Sequence, residues 1–273
     1  MKRNVTAEKP TEIKAPDSPR AAENELADMI EYMVDQMGQR FKNQVLGGLQ
    51  VGTVEKFADA QTGNYAAVLL KLAAATKKKL FKQFSNQRIE RVSKSVLSKM
   101  DKKTKQVFYE RVAKATGIEV TALIAGEAMK STTNALMLET AQWIKTLRDD
   151  TFQRFTNDTL FAMTNGDSLD SLVDGFDAIE KNRKNHARFL ARNQVQNYNS
   201  ISTKIRAQNL GIQKAVWQTS GDERVRPSHA DRDGKEYDVA KGLYSSIDGE
   251  FLIPGVDYNC RCTAVYVIPE TAE

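Results

Sequence analysis

The chain has 273 residues, of which 41% are apolar, and it carries a formal net charge of +5. This length and apolar content suffice to bury a core, which excludes disorder over most of the chain. The sequence has no run of 18 apolar residues and no apolar stretch typical of a signal peptide near its start, so neither a membrane span nor secretion is predicted. We therefore expect a soluble protein made in a cytoplasm.

Residues 1–20 lack hydrophobic periodicity and are expected to form a flexible tail. From Glu23 onward apolar residues recur at helical spacing, which predicts an amphipathic helix that ends near Gly47-Gly48. The methionines on its apolar face are Met29, Met33 and Met37. A methionine stripe can pack in a core or offer an adaptable docking face, and we expect the core role.

Four further helices are predicted from apolar periodicity, over about 64–116, 119–165, 167–179 and 181–209. Ser85 and Asp101 are expected to act as N-caps that divide the first of these stretches. Gly117 and Gly211 are expected to follow helices as C-caps, and Asp167 or Ser168 to cap the short helix. Roughly the first 210 residues are therefore predicted to be helical.

Beyond Gly211 the pattern changes to short strands and turns. Strands are predicted at 216–219 and 263–268 from their β-branched and aromatic residues. Turns are predicted at Ser220-Gly221, Asp233-Gly234, Asp248-Gly249 and Pro254-Gly255. This change indicates a domain boundary near residue 212. The predicted class is α+β, with a mostly α-helical N-terminal arm or bundle followed by a small, loop-rich α+β C-terminal domain.

Charge is most uneven between Lys71 and Ala115, where 14 Lys or Arg accompany 3 Asp or Glu. Such a basic face can bind DNA through its phosphates, dock on an acidic protein surface, or simply be the solvated side of a helix. These three interpretations stay open. The candidate DNA contacts are Lys77, Lys78, Lys79, Lys82, Arg88, Arg91 and Lys94, followed by Lys99, Lys102, Lys103 and Lys105.

Two cysteines, Cys260 and Cys262, are too few for a disulfide scaffold, and reduced thiols are expected. In an extended strand both would point to the same face, so with His229 they form part of a zinc site. The candidate fourth ligands are Asp222, Asp231 and Asp233. One pair and one isolated histidine is a weak zinc motif. We therefore expect small buried thiols and a hydrogen-bonded His229 without a cofactor, with zinc as the alternative.

Four polar residues lie within one short segment: Asp222, Arg224, Arg226 and His229. With His229 as a general base and an arginine as a phosphate clamp, they would suit a nuclease. The alternative is a loop held together by Asp–Arg pairs. We expect this structural role, no catalytic residue and hence no enzyme.

An ordered set of short motifs extends from about Arg188 to Ile268. The motifs are Ala191-Arg192-Asn193-Gln194, Asn199-Ser200, Gly211-Ile212 before Trp217, the segment from Thr219 to His229, Asp233-Gly234, Pro254-Gly255 and Asn259-Cys260-Arg261-Cys262-Thr263. Their order and spacing behind a helical half resemble the Mu F-like, or phage head morphogenesis, family of minor capsid proteins. The residues that carry the resemblance are Trp217, Asp222, Arg224, Arg226, His229, Gly234, Asn259, Cys260 and Cys262.

Together these observations divide the chain into a tail (1–20), a helical arm or bundle (21–180), a Mu F-like head morphogenesis domain (181–268, with a long helix over 181–210 and a β-containing module over 212–268) and a tail (269–273). The resemblance implies a structural minor capsid protein of a tailed bacteriophage, made in the host cytoplasm and located inside the virion head near the portal. It would aid procapsid assembly and DNA packaging or ejection.

The implied partners are the portal protein and the major capsid or scaffold protein, with phage DNA as a further candidate and self-association as an option. Two alternatives to the structural role remain. One is a DNA-binding virion protein that acts through the basic helices of 71–115. The other is a metal- or histidine-dependent, nuclease-like enzyme centred on His229.

Overall fold

A computed structural model describes residues 11–47, 65–118 and 127–269. The helices are α1 (Arg20–Arg40), α2 (Tyr65–Gln83), α3 (Asn86–Thr116), α4 (Glu127–Asn165), α5 (Leu169–Asn209) and α6 (Pro227–Ala230), and a π-helical segment (Phe41–Leu46) follows α1. The strands are β1 (Glu12–Lys14), β2 (Lys214–Gln218), β3 (Glu236–Asp238), β4 (Leu243–Ser245), β5 (Glu250–Leu252) and β6 (Thr263–Val267). A large helical part followed by small sheets confirms the predicted α+β class.

The chain forms two compact units. The helical unit comprises the described residues of Ala21–Val96 and Met137–Ala191, and the C-terminal unit those of Met1–Arg20, Leu97–Leu136 and Arg192–Glu273. Their boundaries fall within α1, α3, α4 and α5. No helix in the described part of the chain is long and apolar enough to cross a membrane. The predicted helix end at Gly48 and the predicted starts near Asn64 and Glu119 lie outside the described residues.

The helical unit is built on apolar helix faces and a cluster of phenylalanine rings. Met33 and Met37 of α1 are fully buried, which confirms the core role predicted for the methionine stripe. At the start of the π-helical segment, the Phe41 ring stacks on Phe155 with centroids 5.4 Å apart, and it meets Phe176 edge-on at 5.5 Å. Such aromatic pairs add stability beyond the area that they bury.

Of the two N-caps predicted within residues 64–116, one is present and the other is not. Ser85 caps α3 as expected, since its Oγ accepts the backbone N–H of Arg88 at 3.3 Å. Asp101 does not cap a helix, however, because α3 continues through it. Its carboxylate instead accepts a hydrogen bond from the guanidinium of the buried Arg206 at 2.5 Å. A tertiary ion pair has thus taken the group that a cap would have used.

The predicted helices over 167–179 and 181–209 are one continuous helix, α5. Ser168 provides its cap, with Oγ accepting the backbone N–H of Ser171 at 3.1 Å. The predicted break at residue 180 is spanned by an ion pair one turn apart, between Lys184 and Glu180 at 3.1 Å. Pairs at this spacing favour the helix, and neither glycine nor proline interrupts it there.

The C-terminal unit contains a four-stranded antiparallel sheet in the order β1-β6-β2-β3. A separate hairpin pairs β4 with β5. β2 and β6 confirm the two strands predicted from sequence. The side chains of Phe108 and Val112 from α3 join Trp217 and Tyr266 of the sheet in one apolar core.

Residues 11–16 are ordered, so the expectation of a flexible tail over 1–20 is wrong for this part of it. Glu12–Lys14 form β1, which pairs with β6 and buries Ile13. The backbone N–H of Ala15 also donates to the carbonyl of Ala264 at 2.8 Å. A strand of three residues is too short to show periodicity in the sequence, and its partner lies some 250 residues away. The sequence pattern therefore did not reveal β1.

Three of the four predicted glycine turns are present, at Asp233-Gly234, Asp248-Gly249 and Pro254-Gly255, whereas Ser220-Gly221 lies in an irregular segment. All four glycines have left-handed φ angles, namely 68° at Gly221, 73° at Gly234, 71° at Gly249 and 86° at Gly255. Gly242 has a φ of 90° and differs from them in its surroundings, since a Cβ built there would lie 2.6 Å from the backbone carbonyl oxygen of Leu252. Only glycine fits at this close approach of the β4–β5 hairpin.

Gly242→Ala should therefore destabilise the protein more than Gly249→Ala, whose Cβ would meet no atom within 4 Å. For Gly249→Ala we expect a loss of about 1 to 2 kcal/mol from the left-handed conformation alone. For Gly242→Ala the steric conflict should add a further loss of about 1 to 3 kcal/mol. Urea unfolding of the full chain measures both, and equal losses would contradict the close approach.

Candidate functional site

The C-terminal unit brings together the three residues that the sequence marked as possible metal ligands. Nδ1 of His229 lies 3.5 Å from Sγ of Cys260 and 3.5 Å from Sγ of Cys262. All three ligand atoms lie within 4.8 Å of one another, and all three side chains are buried. The cluster thus offers two thiols and one imidazole nitrogen to a common point.

Local backbone geometry positions each part of this cluster. His229 lies on the single helical turn α6, which Pro227 begins after an extended Arg226. The two cysteines lie in the irregular segment before β6, directly after Asn259, whose φ of 53° is left-handed. This turn at Asn259 directs the chain back into the core.

Asn259 is held by the motif helix that the sequence analysis singled out. Its backbone N–H donates to Oδ1 of Asn193 at 3.1 Å, and its own Oδ1 accepts from the guanidinium of Arg192 at 3.1 Å. Both partners belong to the part of α5 within the C-terminal unit. The separate motifs around 191–194 and 259–263 are therefore one hydrogen-bonded arrangement.

The second ring nitrogen of His229 faces a carboxylate. Nε2 lies 3.0 Å from Oδ2 of Asp257, and a guanidinium nitrogen of Arg226 lies 3.0 Å from the same oxygen. A carboxylate accepts hydrogen bonds, so it favours the tautomer with the proton on Nε2. The lone pair of Nδ1 then points towards the two sulfur atoms. Sequence reasoning did not single out Asp257, because a lone Asp 28 residues from His229 forms no recognisable spacing.

The pKa values of the two thiols are shifted in opposite directions. A hydrogen bond from Cys262 lowers the pKa of Cys260 to about 6, against the opposing effect of burial. Backbone N–H groups of Cys262 and Gly255 also favour the Cys260 thiolate, the former at 3.4 Å from its sulfur. The pKa of Cys262 is raised in turn, first by this bond to Cys260 and then by burial. The surroundings therefore favour a thiolate at Cys260 over one at Cys262.

Trp217 of β2 packs over the cluster. Its ring meets His229 edge-on with centroids 5.7 Å apart, and the guanidinium of Arg232 lies 5.1 Å from the indole ring. The indole Nε1 is buried without a hydrogen-bond partner of ordinary geometry, yet it is near enough to Cys262 to favour that thiolate. The buried N–H of Trp217 is thus a donor close to the sulfur of Cys262.

The aspartates predicted as a fourth ligand are not part of the cluster. Asp222 accepts from the side chain of Arg261 at 2.7 Å and from the backbone of Arg224 at 3.1 Å, and the bond to Arg261 is the main cause of its lowered pKa. Asp233 accepts the backbone N–H of Thr219 at 2.7 Å. These carboxylates hold the loop between β2 and α6 in place.

A small cavity borders the cluster. Its lining comprises Ser220, Arg224, Val225, Arg226, His229, Asn259, Cys260, Arg261 and Cys262. The cavity measures about 20 Å³, which is room for about one water molecule. It does not have the size of a pocket for an organic substrate.

The seven predicted DNA contacts between Lys77 and Lys94 lie on α2 and α3 of the helical unit, and all seven are exposed. Lys77 lies over the rings of Phe81 and Phe152, at 5.1 Å and 5.5 Å from their centroids. Arg88 donates to the backbone carbonyl of Gln83 at 3.2 Å. Among the described residues, no ion pair engages the other five, which are Lys78, Lys79, Lys82, Arg91 and Lys94.

Comparison with known proteins identifies related sequences. An uncharacterized protein of Haemophilus influenzae is 28% identical over 227 residues, which are 83% of this chain and 49% of that protein. A protein of Enterococcus faecalis named NAD(+)–arginine ADP-ribosyltransferase EFV is 28% identical over 130 residues, 44% of this chain and 27% of that protein. The chain thus spans about half the length of the first relative and far less of the second. No solved structure matches significantly.

The profile of the phage Mu protein F like family matches residues 153–265. This segment begins well before the motifs recognised from Arg188 onward, and it contains His229, Asp257 and both cysteines. Over residues 153–265 the chain therefore resembles the phage Mu protein F like family, which confirms the resemblance predicted from its motifs.

Proposed function

We propose that this protein is a structural minor head protein of a tailed phage, located inside the capsid near the portal, where it supports procapsid assembly and DNA packaging or ejection. The observation that carries this proposal is the match of residues 153–265 to a phage head family. The hydrogen bonds of Asn259 to Asn193 and Arg192 support it further, since they join two of the motifs that carry the resemblance.

A non-enzymatic role is part of this proposal. A general base must reach its substrate, but His229 is only 3% exposed and both of its ring nitrogens face protein groups. The adjoining cavity has room for about one water molecule. The transferase activity in the name of the Enterococcus faecalis relative belongs to that protein, of which the shared residues are 27%.

The proposed partners are the portal protein and the major capsid or scaffold protein. The β4–β5 hairpin supports a protein partner because it exposes a small apolar group. Tyr244 and Phe251 form an edge-on ring pair with centroids 5.3 Å apart, and Ile247 at the hairpin's turn is 72% exposed. Clustered exposed apolar side chains are typical of surfaces that bind other proteins.

The structural proposal is tested by deleting the gene in the phage that encodes it. We expect the yield of DNA-filled heads to fall, and the wild-type chain supplied in trans to restore it and to be found in purified heads by mass spectrometry. Arg224→Ala should restore the yield fully, because the side chain of Arg224 is 73% exposed and carries no part of the core.

Arg224 is one of the two arginines that could clamp phosphate in the nuclease alternative, so this variant helps to separate the two functions. Two results together would contradict a structural role. The folded Arg224→Ala protein would fail to restore DNA-filled heads, and the wild-type chain would cleave duplex DNA whereas the variant would not. Circular dichroism of the purified variant provides the folding control. Absence of the wild-type chain from purified heads would contradict the proposed location.

DNA binding is the second candidate function. The observation that favours it is the exposed basic face of α2 and α3, on which Lys78, Lys79 and Lys82 form no ion pair among the described residues. Phosphate contacts need positive charge and no base-reading side chain. Inside a filled head this face would meet DNA at high concentration.

We expect the triple variant Lys78→Glu, Lys79→Glu and Lys82→Glu to weaken binding of the full chain to duplex DNA. The loss of three phosphate contacts should also reduce the slope of log affinity against log salt by about 3. Fluorescence anisotropy over a salt series measures both effects. Affinity that did not depend on salt would exclude phosphate contacts altogether.

The matched control is Lys181→Glu, Lys235→Glu and Lys241→Glu, which changes the net charge equally at three exposed lysines outside this face. This control should reduce the slope of log affinity against log salt much less than the triple variant in the basic face does. If both triple variants lost affinity to the same extent, binding would follow net charge rather than this surface, and the proposed DNA face would be wrong.

A further inference from the structure

We propose that His229, Cys260 and Cys262 bind one zinc ion, with a water molecule as its fourth ligand. The proposal does not depend on the head function, because it rests on the geometry of these side chains alone. Three ligand atoms from two separate segments of the chain converge on one buried point. Four observations bear on the choice of a metal over a cluster of hydrogen bonds.

The first is the distance between the ligand atoms. In a tetrahedral zinc site with bonds of about 2.3 Å to sulfur and about 2.0 Å to nitrogen, sulfur and nitrogen are separated by about 3.5 Å. Both sulfur atoms lie 3.5 Å from Nδ1 of His229. The two sulfur–nitrogen edges of the cluster therefore already have the length that the ion requires.

The second is the number of lone pairs. Nδ1 of a neutral imidazole has a single lone pair and accepts one hydrogen bond in good geometry. Two sulfur atoms lie at the same distance from it, and only one of them can donate to it in good geometry. An ion placed between the three atoms uses the Nδ1 lone pair and both sulfurs at once.

The third is the surroundings of the ligands. Asp257 accepts from Nε2 of His229 at 3.0 Å, which is the carboxylate–histidine arrangement that orients imidazole ligands and raises their basicity. The N–H of Cys262 points at the sulfur of Cys260 at 3.4 Å, and the unpartnered indole N–H of Trp217 lies near Cys262. These donors stabilise sulfur in its anionic form.

The fourth is charge. Two thiolates and a neutral imidazole neutralise a divalent cation, and Arg226 at 3.0 Å neutralises Asp257. The buried group would then carry no uncompensated charge, which is the condition for burying ions at a tolerable cost. Thiolate ligands select a soft ion such as zinc over calcium or magnesium, which bind through oxygen.

The adjoining cavity accounts for the fourth position. It borders all three ligands and has room for about one water molecule but not for a substrate. A zinc ion there would cross-link the α6 turn to the segment before β6. We therefore assign the ion a structural role, in a unit whose strands have only three to five residues.

The test is the metal content of the full chain. Protein purified without chelators should contain about one zinc per chain by mass spectrometry. Cys260→Ser, Cys262→Ser and His229→Gln should each lose it, and Asp257→Asn should lower zinc affinity by roughly 10- to 100-fold. His186→Gln and Asp222→Asn are the controls, and both should retain zinc because neither residue belongs to the cluster.

Cobalt substitution covers the case in which the ligand variants fail to fold. Wild-type chain depleted of metal and loaded with Co²⁺ should show thiolate-to-cobalt charge transfer and the visible bands of a tetrahedral site. A folded wild-type chain that binds neither zinc nor tetrahedral cobalt would overturn the proposal. So would a disulfide between Cys260 and Cys262 in protein purified under reducing conditions, or zinc retained in all three ligand variants.

Discussion

The C-terminal unit depends on the position of one imidazole ring. His229 places one nitrogen against Asp257 and the other against the two cysteine sulfurs, so the α6 turn and the segment from Asp257 to Cys262 meet at its ring. Trp217 then packs edge-on against the ring and extends this centre into the sheet. Because Asp257 and the two cysteine sulfurs contact different nitrogens of one ring, no other side chain could replace histidine without releasing at least one of these contacts.

This concentration of contacts follows from the size of the module. The strands after residue 212 are short, and the loops between them contain several glycines with left-handed φ angles, which leaves few positions for large apolar side chains. Small modules with such limited cores need additional cross-links to be stable. Polar connections supply part of this need, for example the bonds that Arg226 makes to Asp257 and to the backbone carbonyl of Tyr258. They fix loops that hydrophobic packing alone would leave open.

The sequence predicted features whose signals are local. The α+β class and the two longer strands follow from periodicity. The left-handed glycines follow from a residue type that prefers such a backbone conformation. The order of the motifs, together with their spacing, identified the family. The convergence of His229 with the Cys-x-Cys pair was foreseen as an alternative only, because sequence spacing gives no distance between segments that lie 31 residues apart.

Features set by long-range contacts were not predictable in this way. The pairing of β1 with β6 and the contact of Asp257 with His229 join segments without any shared pattern. The match to the family profile also begins at residue 153, where the sequence offers only helical periodicity. Asp101 is the clearest case, since its residue type and position before a basic run are those of an N-cap.

In the fold, Asp101 binds the guanidinium of Arg206, a side chain that is 1% exposed. Replacing Asp101 would leave the buried guanidinium without compensation, whereas a pair of apolar residues would pack at lower cost. A buried pair of this kind therefore contributes specificity more than stability, because it is satisfied in only one register of α5 against α3 within the C-terminal unit. The same α5 segment carries Arg192 and Asn193, which hold Asn259 beside the cysteines. The register fixed by Asp101 and Arg206 thus determines where the Cys-x-Cys segment is anchored.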